Sequence, residues 1–421
     1  MNTIQKSVKT ITHDLENIPK PIKWVVFIIF IRMMGWGFVD PYFSIYLSGF
    51  NNSYSAIGSL ISIFSLTSLL FTLPLIRLAD KIQGTRLMQD GEIIYLITVI
   101  MYMIAGYTHV LPLLILAFIA NGIGLSLIVV GSESFIRKHS QLSSSSRSFG
   151  YYTALNYLGW IIGMLMGALL VNWYNFNTMF LFVIPSILIS FWIFPKIHEH
   201  GDNKLMKSLG VIFRSPLSMI SWIRDFKNFS PRLAFFLVLA FFDGMVVMFT
   251  YVFIPLFALS LNLNLREIAL LMAVMYMPFI LSFIISEITD RVQKSRIIVL
   301  SLILATVAFI HLMIMVDQKT ILILAAMTSL SLAILRPAYN GVITHLTPRR
   351  MLGEVSGLND LVFRFGNIVG PVLTGFIAEK WSLQVAFGIV ASMALILGIV
   401  SLFFKTPVHH SHPALIQSKQ N

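Results

Sequence analysis

Several charged side chains stand inside long apolar stretches of this sequence. Arg32 and Asp40 lie in one stretch, and Asp243, Arg336 and Arg364 lie in three others. An ionised side chain at the centre of a bilayer costs about 2.5 to 3.5 kcal/mol on insertion scales, so it usually faces a polar cavity and has a partner. A buried carboxylate without such a partner can bind and release a proton near neutral pH. Arg364 has Asp360 at i+4 and is interpreted as part of a structural pair, and the other four residues suggest a site that binds protons or charged solutes.

Asp40 and Asp243 are the main candidates for carrying protons. Asp243 lies in "LAFFDGMVV", and Asp40 follows Arg32 and Trp36 at four-residue spacing along one stripe of a predicted helix. Arg32 and Asp40 are then about 12 Å apart along the helix axis, which is too far for a direct ion pair. Each of them needs a partner from another helix. Structural pairing is the alternative to a proton-carrying role.

Glu133 is a third acidic candidate, and the alternative for it is a pair with Arg137 at i+4. Arg336 has no partner close in sequence and could meet either Asp243 or an anionic substrate. Methionines and aromatic rings near these charges suit bulky amphipathic solutes, although such residues also pack ordinary cores. The candidates for a substrate cavity are Arg32, Trp36, Phe242, Met245, Arg336 and Asn340.

The elements that position these residues follow from composition. The chain has 421 residues, of which 57% are hydrophobic and only 11% are charged, far from the usage of soluble domains. Within a bilayer each long apolar run must satisfy its own backbone hydrogen bonds, and runs without period-2 alternation do so as helices. We predict an all-α membrane protein with twelve spans, near residues 22–48, 54–77, 91–108, 111–136, 149–171, 177–195, 232–259, 266–288, 297–316, 320–346, 354–378 and 383–404.

The distribution of basic residues predicts the topology. Most of the 30 Lys and Arg residues fall on one side of this layout, and only Arg266, Lys319 and Lys380 fall on the other. Cytoplasmic loops carry such an excess, so both termini and the central linker are expected in the cytoplasm, and the net charge of +12 needs no nucleic acid to explain it. The predicted divisions are a tail (1–21), a six-helix bundle (22–195), a linker (196–231), a second bundle (232–404) and a tail (405–421).

Two sequence echoes indicate an internal duplication. The segment "DKIQGTR" begins at Asp80, and "DRVQKSR" begins at Asp290, each after the second predicted helix of a bundle. A second pair of segments has glycines at matching spacing, at Gly159 and Gly163 and again at Gly366 and Gly370. Repeats of this kind are a known architecture of secondary transporters, and here they predict two pseudo-symmetric bundles.

With these motifs the chain resembles the major facilitator superfamily over nearly its whole length. The resemblance implies a cytoplasmic latch between the bundles, with an Asp facing a helix start of the other half and an Arg paired with a carboxylate, for which Glu133 is the expected partner of Arg86. The alternative is that these cations only obey the positive-inside rule. The latch residues by resemblance are Asp80, Lys81, Gly84, Arg86, Asp290, Arg291 and Arg296.

Further motifs are similar to the drug:proton antiporter branch of that family. These are "GWGFVDPYFSIYL" in the first predicted helix, "LRPAYNG" in the tenth and "GNIVGPVLTG" in the eleventh. Phe118 stands where many such antiporters have an Arg in the fourth helix. Small residues at four-residue spacing let helix backbones approach closely. The helix-packing residues expected on this basis are Gly159, Gly163, Gly167, Gly366, Gly370 and Pro371.

The expected function is secondary active transport by alternating access, with proton-coupled efflux of small amphipathic compounds. One alternative is transport of an anionic metabolite or chelator in either direction, with Arg32 and Arg336 as anion contacts. Another, of a different class, is a non-transporting membrane sensor or scaffold. No phosphate-binding loop or cysteine is present, so we expect no enzyme, metal or cofactor, but a monomer in the lipid bilayer of a bacterial inner membrane.

Overall fold

The computed structural model describes residues 18–51, 53–79, 82–140, 145–199, 230–281, 285, 292–314, 317–348 and 351–404. The helices are α1 (Lys20–Ser48), α2 (Tyr54–Ala79), α3 (Gly84–Thr108), α4 (Leu111–His139), α5 (Ser145–Leu170), α6 (Phe176–Lys196), α7 (Pro231–Ser260), α8 (Leu265–Ile280), α9 (Lys294–Ile314), α10 (Thr320–Leu346), α11 (Leu352–Lys380) and α12 (Leu383–Ser401). Eleven of these helices are long and apolar enough, in their described parts, to cross a membrane. The remaining one, α8, corresponds to the eighth predicted segment. The prediction of an all-α membrane protein is confirmed.

Local sequence explains where several helices begin and where α1 is interrupted. Asn264 and Glu267 form a capping box at the start of α8. The backbone N–H of Asn264 donates to the carboxylate of Glu267 at 2.8 Å, and the backbone N–H of Glu267 donates to the side-chain oxygen of Asn264 at 3.0 Å. Pro231 begins α7, where its missing N–H costs nothing. Within α1 the helix changes to a single 3₁₀ turn at Asp40–Tyr42, because Pro41 cannot donate the next helical hydrogen bond. This break fixes the position of Asp40.

Glycines set the closest helix contacts in equivalent places of the two halves. In the first half α5 packs on α1, and a Cβ added at Gly159 or Gly163 would meet the carbonyl oxygens of Phe30 or Met34. In the second half α11 packs on α7, where a Cβ on Gly366 would meet Phe241. Gly167 and Gly370 extend the two contacts, against Phe38 and Met245 respectively. The two bundles therefore share one packing scheme, as the duplication predicts.

The two halves meet mainly through α2 with α11 and α5 with α8. Ser62 Oγ donates to the carbonyl of Ile368 at 2.7 Å, and the carbonyl of Pro371 faces Gly58. The rings of Trp160 and Tyr276 stack at 4.3 Å between centroids. Between described residues, the hydrogen bonds and ring contacts of Tyr54, Ser62, Trp160 and Tyr251 with the other half lie at mid-depth or toward the end opposite the central linker. The halves are thus joined on that side.

The expected latch pair between Arg86 and Glu133 does not form. Arg86 pairs with Asp90 at 3.1 Å and Glu133 with Arg137 at 3.3 Å. In each pair the arginine contacts an acid one turn away on its own helix, so the pair forms without any contact from a neighbouring helix. Asp80, Lys81, Asp290 and Arg291 lie outside the described residues, and Arg296 is exposed at the start of α9.

The start of α3 is stabilised by a residue at the beginning of the linker. Glu199, just after α6, accepts hydrogen bonds from the backbone N–H of Gly84 at 3.0 Å and from that of Thr85 at 2.9 Å. A carboxylate is favourable there because the first N–H groups of a helix are otherwise unpaired. Gly84 itself packs on α4, since a Cβ at Gly84 would meet the carbonyl of Gly131. Gly84 therefore contributes a close helix contact.

A pair of alanine substitutions in α5 tests the glycine contacts. Gly163→Ala should lower the free energy of unfolding by about 1 to 3 kcal/mol, because the added methyl would overlap the backbone of α1. Gly150→Ala is the matched control, since no atom outside its own turn lies within 4 Å of an added Cβ. It should leave stability unchanged or raise it by up to about 1 kcal/mol. Thermal unfolding of the detergent-purified protein measures both, and equal effects would contradict the packing.

Candidate functional site

A cavity of about 250 Å³ lies between the two halves at the level where α1 is interrupted. Both halves contribute to its walls, in which ten of the 23 lining residues are aromatic. The aromatic side chains with a polar group are Trp36, Tyr95, Tyr157, Trp160, Tyr251 and Tyr276. The charged side chains at the cavity are Arg32, Asp40 and Arg336. The site therefore combines a large ring surface with few charges, which is typical of small-molecule sites.

Asp40 is held by neutral hydrogen-bond donors. Its side chain accepts a hydrogen bond of 2.9 Å from Trp160 Nε1 and another of 2.7 Å from the hydroxyl of Tyr251. Asp40 is only 2% exposed, yet no described cation lies within ion-pair distance of it. Tyr251 belongs to α7, so this bond also joins the two halves. Asp40 is thus a buried acid whose charge has no opposite charge beside it.

Asp243 has the opposite environment. Arg336 of α10 donates to both of its oxygens, from Nε at 2.7 Å and from Nη2 at 3.2 Å. Tyr339 adds a third hydrogen bond of 2.9 Å, and Asp243 is fully buried behind the cavity wall. A two-point guanidinium contact is among the strongest pairs that a carboxylate can form. The geometry favours structural pairing for Asp243 over a proton-carrying role.

Glu92 was not predicted from the sequence. It is fully buried, and its Oε1 lies 3.7 Å from Nε of Arg32, which is an ion pair without a hydrogen bond. The guanidinium of Arg32 also lies over the ring of Tyr95, at 4.4 Å from its centroid. The predicted third span began at residue 91, which put Glu92 at the membrane edge. The helix begins at Gly84, so Glu92 lies about 12 Å inside it.

Three predicted cavity residues lie elsewhere. Phe242 is in the core and Met245 faces the glycines of α11, because the cavity face of α7 is the one bearing Met248 and Tyr251. Asn340 is also absent from the cavity wall, and its side-chain oxygen accepts a hydrogen bond from Asn359 at 2.9 Å. Arg32, Trp36 and Arg336 do line the cavity. Sequence alone did not fix the rotation of each helix.

The glycine contacts also fix which residues are equivalent in the two halves. Phe30 and Met34 meet the α5 glycines as Phe241 and Met245 meet those of α11, an offset of 211 positions that also separates Asp40 from Tyr251. By the same offset, Arg32 in the first half is equivalent in position to Asp243 in the second half. Asp40 and Asp243, both predicted as proton carriers, therefore do not occupy equivalent positions in the two halves.

The charge balance at the cavity follows from these pairs. Arg32 and Arg336 each have a carboxylate of their own behind the wall, in Glu92 and Asp243. Asp40 is left as the uncompensated group, so with all five ionised the site has one negative charge in excess. An aromatic cavity with one such carboxylate can bind either a proton or an organic cation. No cluster of His, Asp or Glu suited to a metal occurs in the described ranges.

Comparison with known proteins places the chain among transporters. The model of the Major Facilitator Superfamily matches residues 25–286 and 236–420. The Quinolone resistance protein NorA of Staphylococcus aureus (strain COL) is 23% identical over 368 residues, which cover 85% of this chain and 89% of the relative. The Multidrug resistance protein 1 of Bacillus subtilis (strain 168) is 21% identical over 394 residues, covering 90% of this chain and 95% of the relative.

Solved structures show the same fold. The nucleoside transporter NupG superimposes with a TM-score of 0.73 at 13% identity, covering 92% of this chain and 100% of that one. A bacterial homologue of the human lysosomal transporter Spinster, in an inward-facing and unoccupied conformation, gives a TM-score of 0.67 at 17% identity, covering 91% and 94% of the two chains. At these identities the similarity concerns the fold alone.

The different environments of the two aspartates predict different costs of neutralising them. Asp243→Asn should lower the free energy of unfolding by about 3 kcal/mol, because it leaves the guanidinium of Arg336 without its counter-charge. Asp40→Asn should cost less than about 1 kcal/mol, since the amide oxygen can accept from Trp160 while the amide NH₂ donates to the hydroxyl oxygen of Tyr251, which can also act as an acceptor. Thermal unfolding of the purified variants measures both, and an equal loss would contradict the assignment of Asp243 as the paired acid.

Proposed function

The chain belongs to the major facilitator superfamily and is a membrane transporter, and from this premise we propose that it exports small amphipathic cations in exchange for protons. The observation that supports this proposal is the environment of Asp40, a buried carboxylate at the cavity with two neutral donors and, among the described residues, no cation beside it. Such a group binds one positive charge at a time, whether a proton or the charged part of a substrate.

Competition between a proton and the cationic substrate for Asp40 couples the movement of the one to that of the other. With Asp40 ionised, the cavity attracts an organic cation, whose charge can also rest against the faces of the surrounding rings. A proton that binds Asp40 removes the excess negative charge, and the cation is then released. Because the proton and the substrate exclude each other, each return of the carrier brings a proton in as a substrate leaves. The names of the two relatives refer to resistance to quinolones and to multiple drugs, which supports the export of small organic compounds.

The bond between Asp40 and Tyr251 supplies a link from binding to conformation. It crosses between the halves on the side where they are joined, at 2.7 Å. An ionised carboxylate accepts a stronger hydrogen bond from the tyrosine hydroxyl than a neutral acid does. Protonation of Asp40 therefore weakens one contact on this side and favours its opening. The excess of Lys and Arg in the loops predicts that the linker and both termini lie in the cytoplasm. The side on which the halves are joined would then face the outside of the inner membrane of a bacterium.

The anion alternative has less support from the geometry. Its proposed contacts, Arg32 and Arg336, each lie beside a buried carboxylate that already balances the charge. An anionic substrate would have to displace Glu92 or Asp243, and both lie behind the wall. The protein is proposed to act as a monomer, since the cavity is built by one chain from both of its halves.

Transport in liposomes tests the proposed exchange. Wild-type protein in vesicles with an acidic lumen should accumulate a fluorescent lipophilic cation, and a protonophore should abolish the accumulation. Asp40→Asn should reduce the initial rate by on the order of tenfold or more, because the competing charge is lost. Asp360→Asn is the control, since that acid is half exposed and pairs with Arg364 one turn away. Cation accumulation by Asp40→Asn at the wild-type rate would refute the proposal.

The same vesicles distinguish the alternatives. A panel of radiolabelled organic anions should show no flux above that of protein-free vesicles, in wild type or in Arg336→Gln. Anion flux that Arg32→Gln and Arg336→Gln abolish would instead support the anion transporter. If the protein moves neither class of compound, although a thermal unfolding measurement shows that it is folded, the result would support the sensor or scaffold.

A further inference from the structure

The three buried carboxylates near the cavity differ in how well their charges are stabilised. Asp243 accepts three hydrogen bonds, two of them from a guanidinium, and Asp40 accepts two from neutral donors. Neither oxygen of Glu92 accepts a hydrogen bond from any described residue. Among the described residues, its one compensating interaction is with the guanidinium of Arg32, at 3.7 Å. A buried ionised carboxylate ordinarily has several donors, so Glu92 is the least stabilised of the three.

The surroundings of Glu92 leave Arg32 as the one charged group that faces it among the described residues. Tyr95, on the same helix and one turn away, also has a buried hydroxyl without a described partner. From α5, Tyr152 faces Arg32 and shares a hydrogen bond of 3.3 Å with Ser132 of α4. The described parts of α4 and α6 bring no charged side chain to Glu92.

The position of this cluster connects it to the cavity. Arg32 and Tyr95 form part of the cavity wall, and Glu92 lies directly behind them. Nε of Arg32, both oxygens of Glu92 and the hydroxyl of Tyr95 are all buried without a described hydrogen-bond partner. Four such atoms in one place exceed what a purely structural pair needs, because each unsatisfied group reduces stability. A proton on Glu92 would turn one of these acceptors into a donor.

We propose that Glu92 is a second proton-binding carboxylate of this transporter, which controls the charge that Arg32 presents to the cavity. With Glu92 ionised, the guanidinium is balanced and the cavity holds the single negative excess of Asp40. A proton on Glu92 leaves the positive charge of Arg32 uncompensated, which repels a cationic substrate. Protons on both Glu92 and Asp40 give the cavity a net positive charge. This inference rests on the proposed exchange and adds a second proton to it.

Binding of tetraphenylphosphonium to the detergent-purified protein tests the second proton. The logarithm of its affinity is measured against pH by calorimetry, and the slope gives the number of protons displaced per cation bound. The steepest slope of the wild type should exceed one, and Glu92→Gln should lower it by about one. At alkaline pH the same variant should weaken affinity on the order of tenfold, since one negative charge near the site is lost.

Two further variants separate proton binding from a structural role. Asp90→Asn removes a carboxylate two residues earlier on the same helix, one paired with Arg86, and should leave the slope unchanged. Arg32→Gln with Glu92→Gln removes both charges, so the alkaline affinity should return toward the wild-type value while the slope stays low. This double variant also provides the test if Glu92→Gln alone fails to fold.

The outcomes for the two proposals are distinguishable. If Glu92→Gln keeps the wild-type slope while Asp40→Asn lowers it, Glu92 binds no exchanged proton and the inference fails, although the proposed exchange stands. If the wild type itself shows no slope, neither carboxylate exchanges a proton for the cation, and both proposals fail. A slope that falls in Glu92→Gln and in the double variant, but not in Asp90→Asn, supports the second site.

Discussion

A charge inside this membrane protein must be compensated by another group of the protein, because neither water nor lipid can do so at that depth. The structure meets this constraint in three ways. Asp243 has a guanidinium and a tyrosine, Asp40 has a tyrosine and a tryptophan, and Glu92 has one guanidinium at longer range. These three levels of compensation are the basis for proposing that Asp243 is structural and that Asp40 and Glu92 exchange protons.

The duplication makes this asymmetry informative. Helices α1 and α7 pack on α5 and α11 through glycines at the same offset, so the two backbones are equivalent. The charges are not. Arg32 occupies the position that Asp243 has in the second half, and Tyr251 occupies that of Asp40. The bond between Asp40 and Tyr251 therefore joins equivalent positions across the pseudo-symmetry axis. A change in the relative orientation of the halves would therefore alter the length or angle of this bond.

The sequence predicted the helices and the glycine contacts well, because both depend on properties that lie close together in the chain. It predicted the cavity less well. Phe242 and Met245 were expected there, but the helix rotation that packs Met245 on Gly370 points their neighbours Met248 and Tyr251 inward instead. Arg86 and Glu133 were expected to meet, but each found a partner one turn away. Glu92 was missed because the start of α3 was placed seven residues too late.

Apolar length and the repeated motifs were enough to predict a membrane protein of twelve helices in two related halves, since the composition of each segment governs its insertion into the membrane. The choice of partner for each buried charge was decided by the tertiary structure alone. Partners such as Arg336 for Asp243, or Tyr251 for Asp40, lie 93 and 211 positions apart in the chain. Only the rotation and crossing of packed helices bring them within hydrogen-bond distance, and that rotation is set by side-chain packing over the whole bundle.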